Sequence, residues 1–154
     1  MLDRKKFKFH SQVRVRNYEI DWQGVVHNAN YLLYFETGRI AYLEHIGVKV
    51  DINTIQHESR VMVVRNEIDY RLPARFGDVI DIHTRISFIR ESSFAFEGIL
   101  ENAVSGKLIA ENISFHVWLS DKTNRPLRAP DEFRAIVGKF EGPDALITHP
   151  TTAV

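Results

Sequence analysis

The chain has 154 residues, enough for one domain that builds its own core without covalent staples. Lys plus Arg and Asp plus Glu each total 20, so the formal net charge is zero and the basic excess of a nucleic-acid binder is missing. No cysteine occurs, which removes disulfides, thiolate metal sites and a cysteine nucleophile together.

No apolar run approaches the roughly 20 residues of a membrane span. The opening Met1-Leu2-Asp3-Arg4-Lys5-Lys6 is charged and lacks the apolar stretch of a secretory signal, so cytoplasmic residence is expected. No repeat or low-complexity tract interrupts the chain. It reads as a single domain with a core over about 9–138 and a C-terminal tail over 142–154.

Phe9 to Ile20 is predicted as a strand, because Val13 and Val15 alternate with Arg14 and Arg16. Asp21-Trp22-Gln23-Gly24 breaks it with turn-forming residues. From Ala29 to Ile46 the period changes: Leu32, Phe35, Arg39, Ile40, Leu43 and Ile46 recur at helical spacings. Asn28 is the expected N-cap, and His45 with Gly47 the expected end. A connector from Val48 to Glu58 follows. Strands are then predicted over Arg60–Leu72, Val79–Ile89, Ser93–Asn102 and Lys107–Leu119, with turn residues between them. In the second of these, Ile80, Ile82, Thr84, Ile86 and Phe88 share a face. In the last, Ile109, Ile113, Phe115, Val117 and Leu119 do. A short helix over Asp131–Gly138 closes the domain. Strand, long helix, then four strands joined by tight turns implies an α+β domain whose antiparallel sheet wraps one helix.

The densest group of unusual residues runs from Tyr18 to Arg39, YEIDWQGVVHNANYLLYFETGR. It sets an acid at a strand end, a glycine, polar residues at a helix entry and a second acid inside the helix. A helix N-terminus offers free N–H groups and positive potential, which stabilise an oxyanion. A carboxylate beside it can attack a carbonyl or activate water. Asp21 lies seven positions before Asn28, and Gly24 lets the loop between them fold back.

Asp21, Gly24, Val25-Val26, His27-Asn28, Tyr31, Glu36 and Arg39 form a pattern that resembles the 4-hydroxybenzoyl-CoA thioesterase-like branch of hotdog-fold proteins. That branch includes the Tol–Pal-associated acyl-CoA thioesterases. Ala74-Arg75-Phe76-Gly77-Asp78 and Arg90-Glu91-Ser92-Ser93-Phe94 extend the resemblance, which runs from about Phe9 to Val137. It implies a hotdog fold and hydrolysis of an acyl-CoA to free acid and thiol. Asp21 would be the catalytic carboxylate, either as nucleophile or as general base, and backbone N–H groups at the helix start would form the oxyanion hole. Relatives often carry Tyr or His where Asn28 stands, so this chain departs there, although Asn can still donate to a carbonyl. Relatives assemble as dimers or tetramers with the acyl cleft between subunits, so a homo-oligomer is expected.

Beside Asp21, the candidate catalytic residues are Asn28 and Glu36. Glu36 also stands at i,i+3 from Arg39, a spacing at which the two can simply pair. His27 and Tyr31 are candidate substrate contacts. Arg90, Arg125 and Arg128 are candidates for the coenzyme A phosphates, which guanidinium groups bind well. Phe35, Phe88, Phe94 and Phe96 would line an acyl pocket or fill the core. No cofactor beyond the coenzyme A of the substrate is expected. The seven histidines show no paired ligand spacing, so no metal is expected either. The Gly-x-Ser-x-Gly elbow and the nucleotide-binding glycine motifs are missing. Two rivals remain on the same fold: a non-catalytic acyl-CoA-binding protein, and a thioesterase acting on acyl carrier protein.

Overall fold

The computed structural model describes residues 1–49 and 59–147; most of the predicted connector and the end of the tail lie outside them. Five strands pair antiparallel in one sheet, in the order β1-β3-β4-β5-β2. They are β1 (Phe9–Arg14), β2 (Ser59–Tyr70), β3 (Val79–Ile89), β4 (Ser93–Asn102) and β5 (Leu108–Ser120). Helix α1 (Asn28–Ile46) lies on the inner face of the sheet, and α2 (Asp131–Glu141) closes one end. This is the antiparallel sheet around one helix that the order of elements predicts, and the hotdog arrangement that the resemblance implies.

The first strand is shorter than its alternation suggests. The N–H of Arg16 donates to the Glu19 carboxylate at 2.7 Å rather than to a neighbouring strand. Residues Asn17–Glu19 then form a 3-10 turn. The cap of α1 is also corrected: His27, not Asn28, is the N-cap, and its Nδ1 accepts the N–H of Ala29 at 3.1 Å. Asn28 is the first helical residue. Gly47, at φ 92°, ends the helix in the left-handed conformation that glycine adopts without strain.

The buried stripe of α1 is Tyr31, Tyr34, Phe35, Gly38, Arg39 and Tyr42, turned from the expected Leu32, Ile40, Leu43 and Ile46. Two glycines set this orientation. A Cβ on Gly38 would collide with Ile82, and one on Gly98 would lie 2.5 Å from Cδ1 of Phe35. The helix therefore sinks onto β3 and β4 at those two points. It packs mainly on β3, β1 and β4, reaches β5 through Arg39 and β2 through Asn28, and leaves the middle of β2 exposed.

Two strands turn their side chains differently from the sequence reading. A register shift between Ile86 and Phe88 sends Phe88 to the outer face, where it meets Phe115, and brings Ile89 inward. On β5, Ser114 and His116 face α1 and Phe94, while Phe115 lies outside under the Arg65 guanidinium. The inner face of β5 is thus polar in its middle. The tail is held at its start, where the N–H of Ile147 donates to the Ile89 carbonyl at 2.9 Å.

Candidate active site

The loop from Ile20 to Val26 closes on itself. The N–H of Asp21 donates to Val25 O at 2.8 Å and that of Gly24 to Asp21 O at 3.0 Å. Gly24 supplies the positive φ of 76° that this turn requires. One carboxylate oxygen of Asp21 accepts the N–H of Gln23 at 2.8 Å. The other makes no hydrogen bond among the described residues, so the carboxylate is oriented yet half free.

Glu19 and Ala74 fasten this loop to α1. Glu19 O accepts from the His27 N–H and from Asn30 Nδ2, both at 2.9 Å. The Tyr34 hydroxyl donates to the Glu19 carboxylate at 2.7 Å. Ala74 accepts the N–H of Val26 at 2.9 Å and donates its own N–H to the Tyr31 hydroxyl at 3.1 Å. Burial raises the pKa of both tyrosines, and for Tyr34 the adjacent Glu19 carboxylate adds to the rise. Both hydroxyls therefore stay neutral and positional. Sequence reasoning missed Glu19, Asn30 and Tyr34. The signal was available, since Asn30 and Tyr34 stand at i,i+4 on the face that meets the loop.

At the start of α1, the Ala29 and Asn30 N–H groups are already used, both by His27. The N–H of Asn28 has no partner among the described residues. Its carbonyl accepts the Tyr70 hydroxyl at 3.1 Å, which ties the helix start to the end of β2. Asp21, Asn28 and Tyr31 line one cleft of about 400 Å³, walled on the other side by Tyr70, Arg71, Leu72 and Pro73. A residue with a half-free carboxylate and one with a free helix N–H so border one cleft, the pair of groups needed for adding a nucleophile to a carbonyl and holding the resulting oxyanion.

The remaining candidates sit elsewhere. His27 is exposed and spends Nδ1 as the helix cap. Glu36 is eight residues from Asn28, roughly 12 Å along the helix. It pairs with Arg39 and borders a separate cavity of about 410 Å³. Arg90 is exposed over the Phe88 ring, 5.0 Å from its centroid. Arg128 pairs with Glu91 at 3.2 Å and with Asp131. Both are tied to α2, Arg90 through its carbonyl, which accepts from Arg134 at 2.5 Å, and Arg128 through Asp131, and neither lines the Asp21 cleft. Arg125 is exposed in the turn after β5. Among the described residues, no cluster of His, Asp or Glu could hold a metal ion, and no helix is long and apolar enough to cross a membrane.

Residues 15–137 match the thioesterase-like superfamily, and the chain belongs to that family of hotdog-fold thioester hydrolases. Its relatives specify the class further. It is 32% identical over 135 residues to the chloroplastic acyl-acyl carrier protein thioesterase ATL2 of Arabidopsis thaliana, across 86% of this chain and 70% of that one. It is 32% identical over 134 residues to the acyl-CoA thioester hydrolase YbgC of Escherichia coli O157:H7, across 86% and 96% of the two chains. A thioesterase of Thermus thermophilus, solved with coenzyme A and zinc, superposes with a TM-score of 0.74 at 28% identity. That match covers 90% of this chain and 98% of that one.

Proposed function

We propose that this protein hydrolyses acyl-CoA thioesters, with Asp21 as its catalytic carboxylate. The observation that carries the reading is the shared cleft, lined both by Asp21, which keeps one carboxylate oxygen unbonded, and by Asn28, whose N–H is unbonded among the described residues. In one route Asp21 takes a proton from water, the hydroxide adds to the thioester carbonyl, and the C–S bond breaks. The thiolate leaves and collects a proton. In the other, Asp21 itself adds to the carbonyl, the thiolate leaves, and water cleaves the resulting anhydride. Neither route needs a cofactor beyond the coenzyme A of the substrate. The Asn28 N–H would hold the oxyanion in both, with the Asn28 side chain and Tyr31 contacting the acyl carbonyl region. His27 would contact substrate at the rim, and Glu36 would orient water only if the partner subunit brought it to the Asp21 cleft.

A homo-oligomer in the cytoplasm fits this reading. Edge strand β2 exposes Val61, Met62, Val63 and Val64 in succession, a run that an isolated edge seldom leaves uncovered. Arg90 and Arg128 lie outside the Asp21 cleft of their own chain and would hold coenzyme A phosphates where subunits meet. Acyl carrier protein is a second candidate donor, favoured by the likeness to ATL2. Thiol release from acyl-CoA and from acyl carrier protein thioesters, compared in parallel, separates the donors. Single turnover in heavy-oxygen water separates the routes, because only the nucleophilic one leaves label in Asp21.

A further inference from the structure

Part of the apolar stripe that sequence periodicity assigns to the core of α1 is not spent there. Ile40 is 38% exposed, although it lies in the middle of the helix. With Leu43 it faces Val63 of β2 across the cavity of about 410 Å³, whose far walls include Phe96, Trp118 and Phe133. The cavity lies where α1, packed mainly on β1, β3 and β4, stands off from β2.

Arg39, Glu36 and His116 of this chamber are engaged, whereas Trp118 Nε1 is buried without a hydrogen-bond partner among the described residues. Arg39 pairs with Glu36 and donates to Ser114 Oγ at 3.4 Å. His116 Nε2 lies 3.0 Å from the same oxygen. Its ring stacks on Phe94, with centroids 5.1 Å apart. Burial keeps that imidazole neutral down to about pH 4. The interior therefore presents apolar wall to a ligand, while Glu36, Lys49 and Arg60 keep charge at the margin. A hydrocarbon would displace water from such walls with gain.

The chamber and the Asp21 cleft are bordered by the same two elements. At one end Tyr70 of β2 reaches Asn28 of α1, and at the other Val63 faces Ile40. We infer that this chamber holds the distal hydrocarbon of the substrate, making the substrate class long-chain acyl thioesters in preference to short or aromatic ones. The inference rests on the thioesterase reading of the Asp21 cleft. Length follows from spacing: Glu36, which lines the chamber, lies about 12 Å along α1 from Asn28, which a short acyl group cannot span.

Two readouts test it. The first is kcat/KM on butanoyl-, octanoyl-, dodecanoyl-, hexadecanoyl- and benzoyl-CoA for wild type, Ile40→Phe and Val63→Phe. Both positions are part-exposed, at 38% and 44%, so the larger ring enters the chamber rather than the core. Wild type is expected to favour the long chains, and each variant to lower the long-to-short ratio about tenfold or more. The second readout needs no turnover: dodecanoate binding followed by Trp118 fluorescence in a Trp22→Phe background, weakened by the same two variants. A preference for butanoyl or benzoyl, or equal loss on every chain length, overturns the inference. Absence of dodecanoate binding overturns it too. Dodecanoate binding without thiol release from any substrate retains the chamber and removes the thioesterase reading instead.

Discussion

Acidification should destabilise this fold through His116 by an amount that the structure sets. The ring is 5% exposed, stacked on Phe94 and edge-on to Phe96. Burial, and secondarily the Arg39 charge, lower its pKa from 6.5 to about 4, while Glu36 stands on the far side of Arg39. The sign follows from proton counts. Above 6.5 both states hold the ring neutral, and its full contribution to stability is present. Between 6.5 and about 4 the unfolded chain binds a proton that the folded chain refuses, so stability falls with pH across that window. A shift of this size corresponds to about 3 kcal/mol. Urea unfolding of wild type and His116→Gln through the window isolates the term, because the variant keeps every other titrating group. The difference in unfolding free energy between the two should move against wild type by up to about 3 kcal/mol as pH falls. A difference that stays constant, or that moves in favour of wild type, would refute the buried neutral ring.

Two further outcomes follow from packing and from the sheet edge. Gly98→Ala places a methyl 2.5 Å from the Phe35 ring and should cost about 1–3 kcal/mol by urea unfolding; an unchanged midpoint would mean that α1 does not rest on β4 there. Val64→Lys, at a β2 position 60% exposed in the single chain, should shift light-scattering mass from oligomer to monomer and reduce turnover with it. An unchanged mass would remove β2 from the subunit contact.

Much of the architecture was legible in the sequence because alternation and helical spacing report burial directly. β3 and β4 fall on the predicted ranges, and β2, β5 and α1 differ by one or two residues at their ends. The side-chain directions were less legible. Periodicity assumes that the apolar face looks inward. On β5 the inner face carries Ser114 and His116, buried and linked to each other and, through Ser114, to Arg39 of α1. Phe88 looked like an inward residue until a bulge placed it beside Phe115, and no local residue type announces that bulge. The α1 stripe was misjudged by about one position, since tyrosines score as half-polar yet Tyr31, Tyr34 and Tyr42 are among its most deeply buried members. At the site, Asp21 and Asn28 were legible together through the glycine between them. The capping role of His27 was not, because Asn is the commoner cap and either residue fits the position. The distance of Glu36 from the helix start was implicit in the helical rise, whereas the separation of Arg90 and Arg128 from Asp21 depends on tertiary placement that spacing along the chain does not encode.

The most direct test of the central claim is thiol release from the acyl-CoA panel by wild type and Asp21→Asn, with fold and oligomeric state checked in both. The substitution keeps the size of the side chain and removes its charge. Turnover by wild type that collapses by about a hundredfold or more in the variant is the expected result. Turnover indifferent to Asp21 would contradict the account.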